Sequence, residues 1–200
     1  MISTISIQHG FAEEHRLAVA QLYDAAFGKK LGLAIPDQQK RLGMLCDTLL
    51  PKFCFVAMAN EQPVGVAGFK TTEGYFTGGS SFHQLKTRLG LIGSLRAVAV
   101  FVLYHRELSS DELLMDGISV HPEMRGGGIG TKLLDRIRAY ALDNGNNFIR
   151  LDVINTNPAA RKLYARFGFV PTKTVRFPIL GSILGFEAST TMKYDLRVAT

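Results

Sequence analysis

Seven consecutive residues, Arg125-Gly126-Gly127-Gly128-Ile129-Gly130-Thr131, constrain this chain more than any other stretch. An apolar run at 113–120 precedes them, reads as a strand and is stopped by Pro122. A helical pattern over 130–143 follows at once, with Ile129, Leu133, Leu134, Ile137 and Ala141 close to one face. Consecutive glycines let the backbone take positive φ and approach a ligand closely. Between a strand and a helix, their N–H groups and the helix N-terminus converge on one point, which suits a phosphate or pyrophosphate. Arg125 adds a fixed positive charge at the loop entrance. For the glycines alone, a plain strand-to-helix turn is the competing reading. Spacing argues against two other phosphate loops. A Walker loop needs Lys then Ser or Thr directly after its last Gly, whereas Gly130 is followed by Thr131 and Lys132. A dinucleotide fingerprint starting at Gly126 needs Gly or Ala at 131, where Thr131 stands.

The rest of the pattern fits an α/β fold. Residues 3–8 alternate as a first strand, and 12–27 read as a helix with Leu17, Ala20, Leu22 and Phe27 inward. Pro36-Asp37 starts a second helix that reaches about Leu50. Two apolar strands, 53–59 and 64–69, flank the turn Asn60-Glu61-Gln62-Pro63 as a hairpin. An insert then occupies about 74–110, with a glycine- and aromatic-rich loop at 74–79 and a long helix over 83–107 weakened at Gly90 and Gly93. Past the glycine loop come a strand at 148–154 and a helix opened by Asn157-Pro158, with Asn as N-cap and Pro at the first position. Gly168 ends that helix, and strands at 169–177 and 186–196 close the chain. The order predicts a central mixed sheet flanked by helices, parallel in its second half, within one domain over residues 1–200.

Composition narrows the class. With 46% hydrophobic and 20% charged residues, the 200-residue chain reads as an ordinary soluble globular protein. A net charge of +6 could serve nucleic acid, lipid or an anionic cofactor. No long basic run and no aromatic-basic signature appears, so no nucleic-acid partner is expected. Cys46 and Cys54 sit in no metal-like cluster, so no metal is expected, and they read as buried free thiols of a reducing compartment. The first six residues lack a secretory pattern, so the cytoplasm is the expected location. The longest apolar stretch, 89–104, is short for a membrane span and carries Arg96. A helix that packs on the domain or on a partner fits better, which leaves a homodimer open.

The string Ile118-x-Val120-x-Pro122-x-x-Arg125-Gly126-x-Gly128-Ile129-Gly130 closely resembles motif A of the GNAT acetyltransferase superfamily. Its core, Gln/Arg-x-x-Gly-x-Gly/Ala, is met by Arg125, Gly128 and Gly130. Downstream, Asn157-Pro158-Ala159-Ala160-Arg161-Lys162-Leu163-Tyr164-Ala165-Arg166-Phe167-Gly168-Phe169 looks like motif B of the same superfamily. The resemblance spans about 113–170. It implies acetyl-CoA as co-substrate and direct acetyl transfer to an amine, carried by a small molecule or a protein. On that model the backbone of Ile118, Ser119 and Val120 pairs with the pantetheine arm. The N–H groups of Gly126, Gly127, Gly128, Ile129, Gly130 and Thr131 cradle the pyrophosphate, and Asn157 faces the cofactor arm.

The resemblance also implies catalytic roles. Tyr164 is the superfamily's usual acid for the leaving thiolate, with a packing tyrosine beside Leu163 and Phe167 as the other reading. The position that aligns with the superfamily's acidic base is Leu114, which departs from the pattern. Asp116, two residues on and so on the same strand face, is the candidate base. A structural, hydrogen-bonded Asp is the alternative, with Glu112, Asp111 and Glu107 next in line as bases. Tyr75, Phe76, Phe82 and the insert helix could wall an acceptor pocket, form a dimer surface or belong to the core. A noncatalytic CoA-binding or sensor domain is the alternative function, and a lipid- or protein-docking module is a third.

Overall fold

The computed structural model describes residues 4–79, 82–103, 107–178 and 185–198, with the side chains at 29–30, 82–85 and 99–103 outside that description. Strand β1, Ser6–His9, leads through a 3-10 turn to helix α1, Arg16–Ala34. The helix passes Phe27, where the pattern suggested its end. It stops only where Ile35 turns extended ahead of Pro36, a residue that disfavours helix before it. Its inward face holds Val19, Ala20, Leu22 and Tyr23, and Phe27 is half-buried. Leu17, expected inside, is 55% exposed, because the buried face centres on Val19 and Tyr23.

Helix α2, Gln38–Thr48, is capped by Asp37, whose carboxylate accepts from the Lys40 N–H at 2.8 Å. Its far end is held by Arg16, which donates to the carbonyls of Cys46 and Leu49, both at 2.9 Å. Between the two helices lies a buried ion pair. Arg41 donates to Asp24 through Nε at 2.5 Å and Nη2 at 3.1 Å, and its Nη1 reaches the Ile35 carbonyl at 2.9 Å.

Strands β2, Cys54–Ala59, and β3, Gln62–Thr71, form the expected hairpin. The turn is tighter than the sequence suggested, with Asn60 and Glu61 at φ 47° and 61°, as a two-residue type I′ turn requires. Residues 74–79 are not all loop, since β4, Gly74–Tyr75, pairs back onto β3. Helix α3, Phe82–Leu103, is broken at Gly90, which sits at φ 70° and ψ 179°. It ends before Glu107, and residues 104–106 lie outside the description. Then follow β5, Glu112–Val120, α4, Ile129–Asp143, β6, Phe148–Ile154, α5, Pro158–Phe167, β7, Val170–Arg176, and β8, Ala188–Asp195.

The sheet runs β1-β2-β3-β5-β6-β8-β7, with β4 beside β3, and among the described residues only β5 and β6 pair in parallel. This is the mixed, helix-flanked sheet that the sequence predicts. Helix α4 buries its whole predicted stripe, Ile129, Leu133, Leu134, Ile137 and Ala141. Helices α1 and α4 cover opposite faces, since Gly117 of β5 lies against Phe27 of α1, while Gly65, opposite Val120, lies against Ile129 and Leu133 of α4. Strand β7 forms one edge and is exposed along its whole length. Cys54 is buried and burial pushes its thiol up, whereas Cys46 is only half-buried, and neither is in a disulfide.

The ion pair between α1 and α2 generates a prediction. Arg41→Ala leaves Asp24 as a buried carboxylate without its countercharge and should lower the unfolding free energy by about 3–5 kcal/mol. Arg41→Met together with Asp24→Leu should cost much less, and urea unfolding of both variants measures the contrast.

Candidate active site

The site begins at an irregularity in β5. Met115 pairs with Phe69 and Gly117 with Gly68, so Asp116 is the residue inserted by a β-bulge. Gly117 takes φ 145°, and a Cβ there would stand 2.4 Å from the Phe27 ring. Opposite it, a Cβ on Gly68 would stand 2.5 Å from the ring of Phe76. The glycine pair therefore admits two aromatic rings onto the backbone at the bulge. Tyr23 joins them, 4.6 Å from Phe27 and 5.3 Å from Phe76 between ring centroids. Burial pushes the Tyr23 phenol well up, and the nearby charge of Asp116 adds to the shift.

The second feature is a gap. Strand β5 pairs with β6 only from Glu112 to Leu114. Beyond that point β6 continues beside β8 as far as Ile154, while β5 continues beside β3 as far as Val120. The two strands part just before the bulge. The β5 residues 116–118 are only half-buried there, between neighbours that are buried. Ile118, Ser119 and Val120 keep one backbone edge on β3 and turn the other toward the gap. Ser119 is further fixed by its hydroxyl, which donates to the Leu22 carbonyl of α1 at 2.6 Å.

The third feature is the glycine loop at the end of the same strand. Arg125 folds back so that its Nε donates to the Val120 carbonyl at 3.0 Å, which joins loop to strand. Gly126 and Gly128 sit at φ 84° and 77°, with no atom within 4 Å of where a Cβ would stand. Gly128 is the N-cap of α4, no side chain caps it, and the first turn carries no acid. The first N–H groups of a helix lack intrahelical acceptors, so this end is a ready anion site. An open cradle of this kind fits a pyrophosphate.

Helix α5 supplies the remaining predicted residues. Asn157 spends its carboxamide oxygen on the helix, accepting from the Ala160 N–H at 3.1 Å. Tyr164 is buried, 5.8 Å from Phe169 between ring centroids, and burial pushes its phenol up to about 12. The helix packs closely on α4, where a Cβ on Gly130 would stand 2.9 Å from Leu163.

Of the other candidate bases, Glu112 has its carboxylate engaged elsewhere. Glu112 is buried at the start of β5 and pairs with Lys193 and, at 3.3 Å, with Arg150. Asp111 and Glu107 enter hydrogen bonds through their backbone carbonyls, Asp111 with Asn147 at 2.8 Å and Glu107 with Arg150. Of the insert residues, Phe76 is fully buried under Gly68, Tyr75 is 42% exposed, and the Phe82 side chain lies outside the description. Tyr23 escaped the sequence reading. Its only signal was its place one turn before Phe27 on an apolar face.

Solved acetyltransferases share the fold of this chain. The chain belongs to the acetyltransferase (GNAT) family, whose sequence model matches residues 16–169. It is 38% identical over 86 residues to camello of Xenopus tropicalis, covering 43% of this chain and 38% of that protein. It is 39% identical over 56 residues to the thialysine N-ε-acetyltransferase of Bos taurus, covering 28% of this chain and 33% of that protein. The matched stretch thus spans well under half the length of each of these curated relatives. In fold it is similar to yncA of Salmonella typhimurium, solved with its cofactor acetyl-CoA, with a TM-score of 0.57 and 19% identity over 96% of this chain and 94% of that one.

Burial of Tyr164 has a measurable pH signature. Its phenol titrates near 10 when unfolded and near 12 when folded. The folded value is the higher, so the contribution is fully present below pH 10 and is lost as pH rises toward 12. Relative to Tyr164→Phe, the parent should lose about 2–3 kcal/mol across that window. Urea unfolding of both proteins at stepped alkaline pH reads the difference.

Proposed function

We propose that this protein is an N-acetyltransferase that moves an acetyl group directly from acetyl-CoA to an amine. The observation that carries this reading is the parting of β5 from β6 at Leu114, directly beside the bulge and on the same strand as the glycine loop. A strand-like pantetheine arm has an unpaired backbone edge to join at Ile118, Ser119 and Val120. Its pyrophosphate then lies at Arg125 and the N–H groups from Gly126 to Thr131, with Asn157 facing the arm across the gap. Family membership and the acetyl-CoA bound by yncA support the choice of donor. The name of the thialysine relative supports an amine acceptor.

The chemistry has three requirements, and this chain has a group for each. The amine must attack uncharged, and Asp116 takes its proton from the α1 side of the bulge. The thioester oxygen gains negative charge as the amine adds, and a backbone N–H near Ile118 stabilises it. The departing thiolate needs a donor, which is Tyr164. A free thiol has a pKa near 8.5, well below the phenol's value of about 12. Full transfer from tyrosine to thiolate is therefore uphill, and Tyr164 contributes chiefly as a hydrogen-bond donor. The aromatic set Tyr23, Phe27 and Phe76 backs the acceptor side. A CoA-binding domain without activity would bind the donor equally well and release no thiol with any amine.

The deciding experiment is an amine panel with acetyl-CoA, read by free-thiol release. Thiol release above the hydrolysis background with one or more amines is the expected result. Gly128→Asp should weaken acetyl-CoA binding severely in calorimetry. Asp tolerates the left-handed conformation, so the loss reports charge repulsion and crowding at the pyrophosphate rather than misfolding. Undiminished affinity would remove the loop from the donor site.

Two variants apportion the proton transfers. Asp116→Asn should lower kcat/KM by roughly 10²-fold and flatten its acidic limb. Tyr164→Phe should lower kcat by about 10- to 10³-fold while donor affinity holds. A Phe variant as fast as the parent, where chemistry limits the rate, would leave Tyr164 a packing residue.

A further inference from the structure

Three aromatic rings stand at the bulge, and they differ in how open they are. Phe76 is fully buried, with its ring over Gly68 on the β3 side. Tyr23 is buried between its two neighbours, 5.3 Å from Phe76 and 4.6 Å from Phe27 between ring centroids. Phe27 is only half-buried, and it points its ring end-on at Gly117. A Cβ at Gly117 would stand 2.4 Å from Cζ of that ring and 2.9 Å from Cε1. The tip of the ring thus meets the β5 backbone between Asp116 and Ile118, both half-buried themselves. Tyr23 and Phe76 fill the side toward β3, so the open part of the Phe27 ring is turned toward the gap where β6 has left β5.

The ring has nowhere to retreat. Behind it stands Tyr23, braced by the edge of Phe76 at an interplanar angle of 81°. At its tip is main chain, which does not swing aside as a side chain can. Helix α1 is held down on both sides of Tyr23, by the Ser119 hydroxyl on the Leu22 carbonyl at 2.6 Å and by Arg41 on Asp24. Close-packed groups of this kind resist a change of even one methylene in volume. Phe27 is a fixed wall rather than a movable flap.

An acceptor nitrogen that attacks a thioester beside Ile118, with its proton directed to Asp116, passes the rim of this ring. The carbon that bears the nitrogen then lies against the wall. A methylene turns only hydrogens to the ring and the strand. A branched carbon carries one more substituent, which must point into one of them. We propose that Phe27 selects the acceptor by the carbon next to its nitrogen. It takes a primary amine on an unbranched methylene, as in an aliphatic side-chain amine, and turns away an amine on a branched carbon, as in the α-amine of an amino acid or of a chain terminus. The assignment rests on acetyl transfer to an amine as the reaction and names the class of amine.

The test compares n-butylamine with sec-butylamine, which share a formula and differ in where the nitrogen is attached. The full chain is assayed with acetyl-CoA by thiol release. The parent should favour n-butylamine by about 10-fold or more in kcat/KM, the discrimination that one misplaced methyl group supports. Phe27→Ala should bring the ratio close to one, chiefly by raising the rate with sec-butylamine, while acetyl-CoA affinity holds. Phe27→Leu, which fills most of the same space and spares the packing, should fall between them. A second arm follows binding of the two amines to the CoA complex by ligand-observed NMR, which needs no turnover. Equal kcat/KM for the two amines in the parent overturns the wall and leaves acetyl transfer standing. An unchanged ratio in both variants also overturns it, since a merely structural ring would slow both amines alike. No thiol release with either amine, together with a Phe27-dependent preference for n-butylamine in the binding arm, keeps the wall and removes acetyl transfer. Silence in both arms overturns the selection by Phe27.

Discussion

One inserted residue in β5 decides where the sheet opens. A bulge bends its strand and increases the local twist, and here it falls just past the last parallel pair with β6. Upstream of it, β5 is an ordinary central strand with buried Leu113, Leu114 and Met115. Downstream, β5 leans on β3 alone and carries its free edge to the glycine loop. The bulge can exist because Gly117 accepts a conformation that a side chain resists and leaves room for the Phe27 ring. Helix α1 thus acts on the site from behind, through Phe27, Tyr23 and the Leu22 carbonyl that holds Ser119.

Two buried ionic groups hold the frame around this opening. Asp24 and Arg41 lock α1 to α2 and to the chain that joins them. Glu112, with Arg150 and Lys193, ties the closed end of β5 to β6 and β8. The second cluster sits where the strands still pair and the bulge where they part, so the sheet is pinned on one side of the opening. Buried pairs contribute little net stability by themselves, but breaking one is costly, so they specify an arrangement. That arrangement keeps Glu112 occupied at the closed end, while Asp116 stands at the bulge.

How much of this was legible in the sequence depends on the range of the interaction. Local rules sufficed for the loop, for the stripe from Ile129 to Ala141, for the Asn157 cap and for the Gly168 stop, because each depends on residues within a few positions. The family came from a different source, the resemblance of two short strings to the superfamily's motifs. The end of α1 lay beyond the expected Phe27, because the residue that ends it is the one preceding Pro36. Leu17 was misassigned because the inward direction of α1 is set by the sheet and α2 together. Glu112 could not be told from a base, since its partners lie 38 and 81 positions away in the chain, at Arg150 and Lys193. The bulge itself exists only in the pairing of β5 with β3, and Asp116 and Gly117 carry no unique mark of it.

The exposed edge strand β7 bears on how an open sheet edge resists pairing with another. An open strand edge invites the same edge of another molecule, and a long unprotected one is a seed for fibrous association. Pro171 offers no N–H there, the register slips between Pro171 and Lys173, and Lys173 and Arg176 project charge from a strand exposed on every residue. Two such edges brought together would meet mismatched hydrogen bonds and like charges. The strand therefore resists such pairing by its own sequence, with no need of a covering helix.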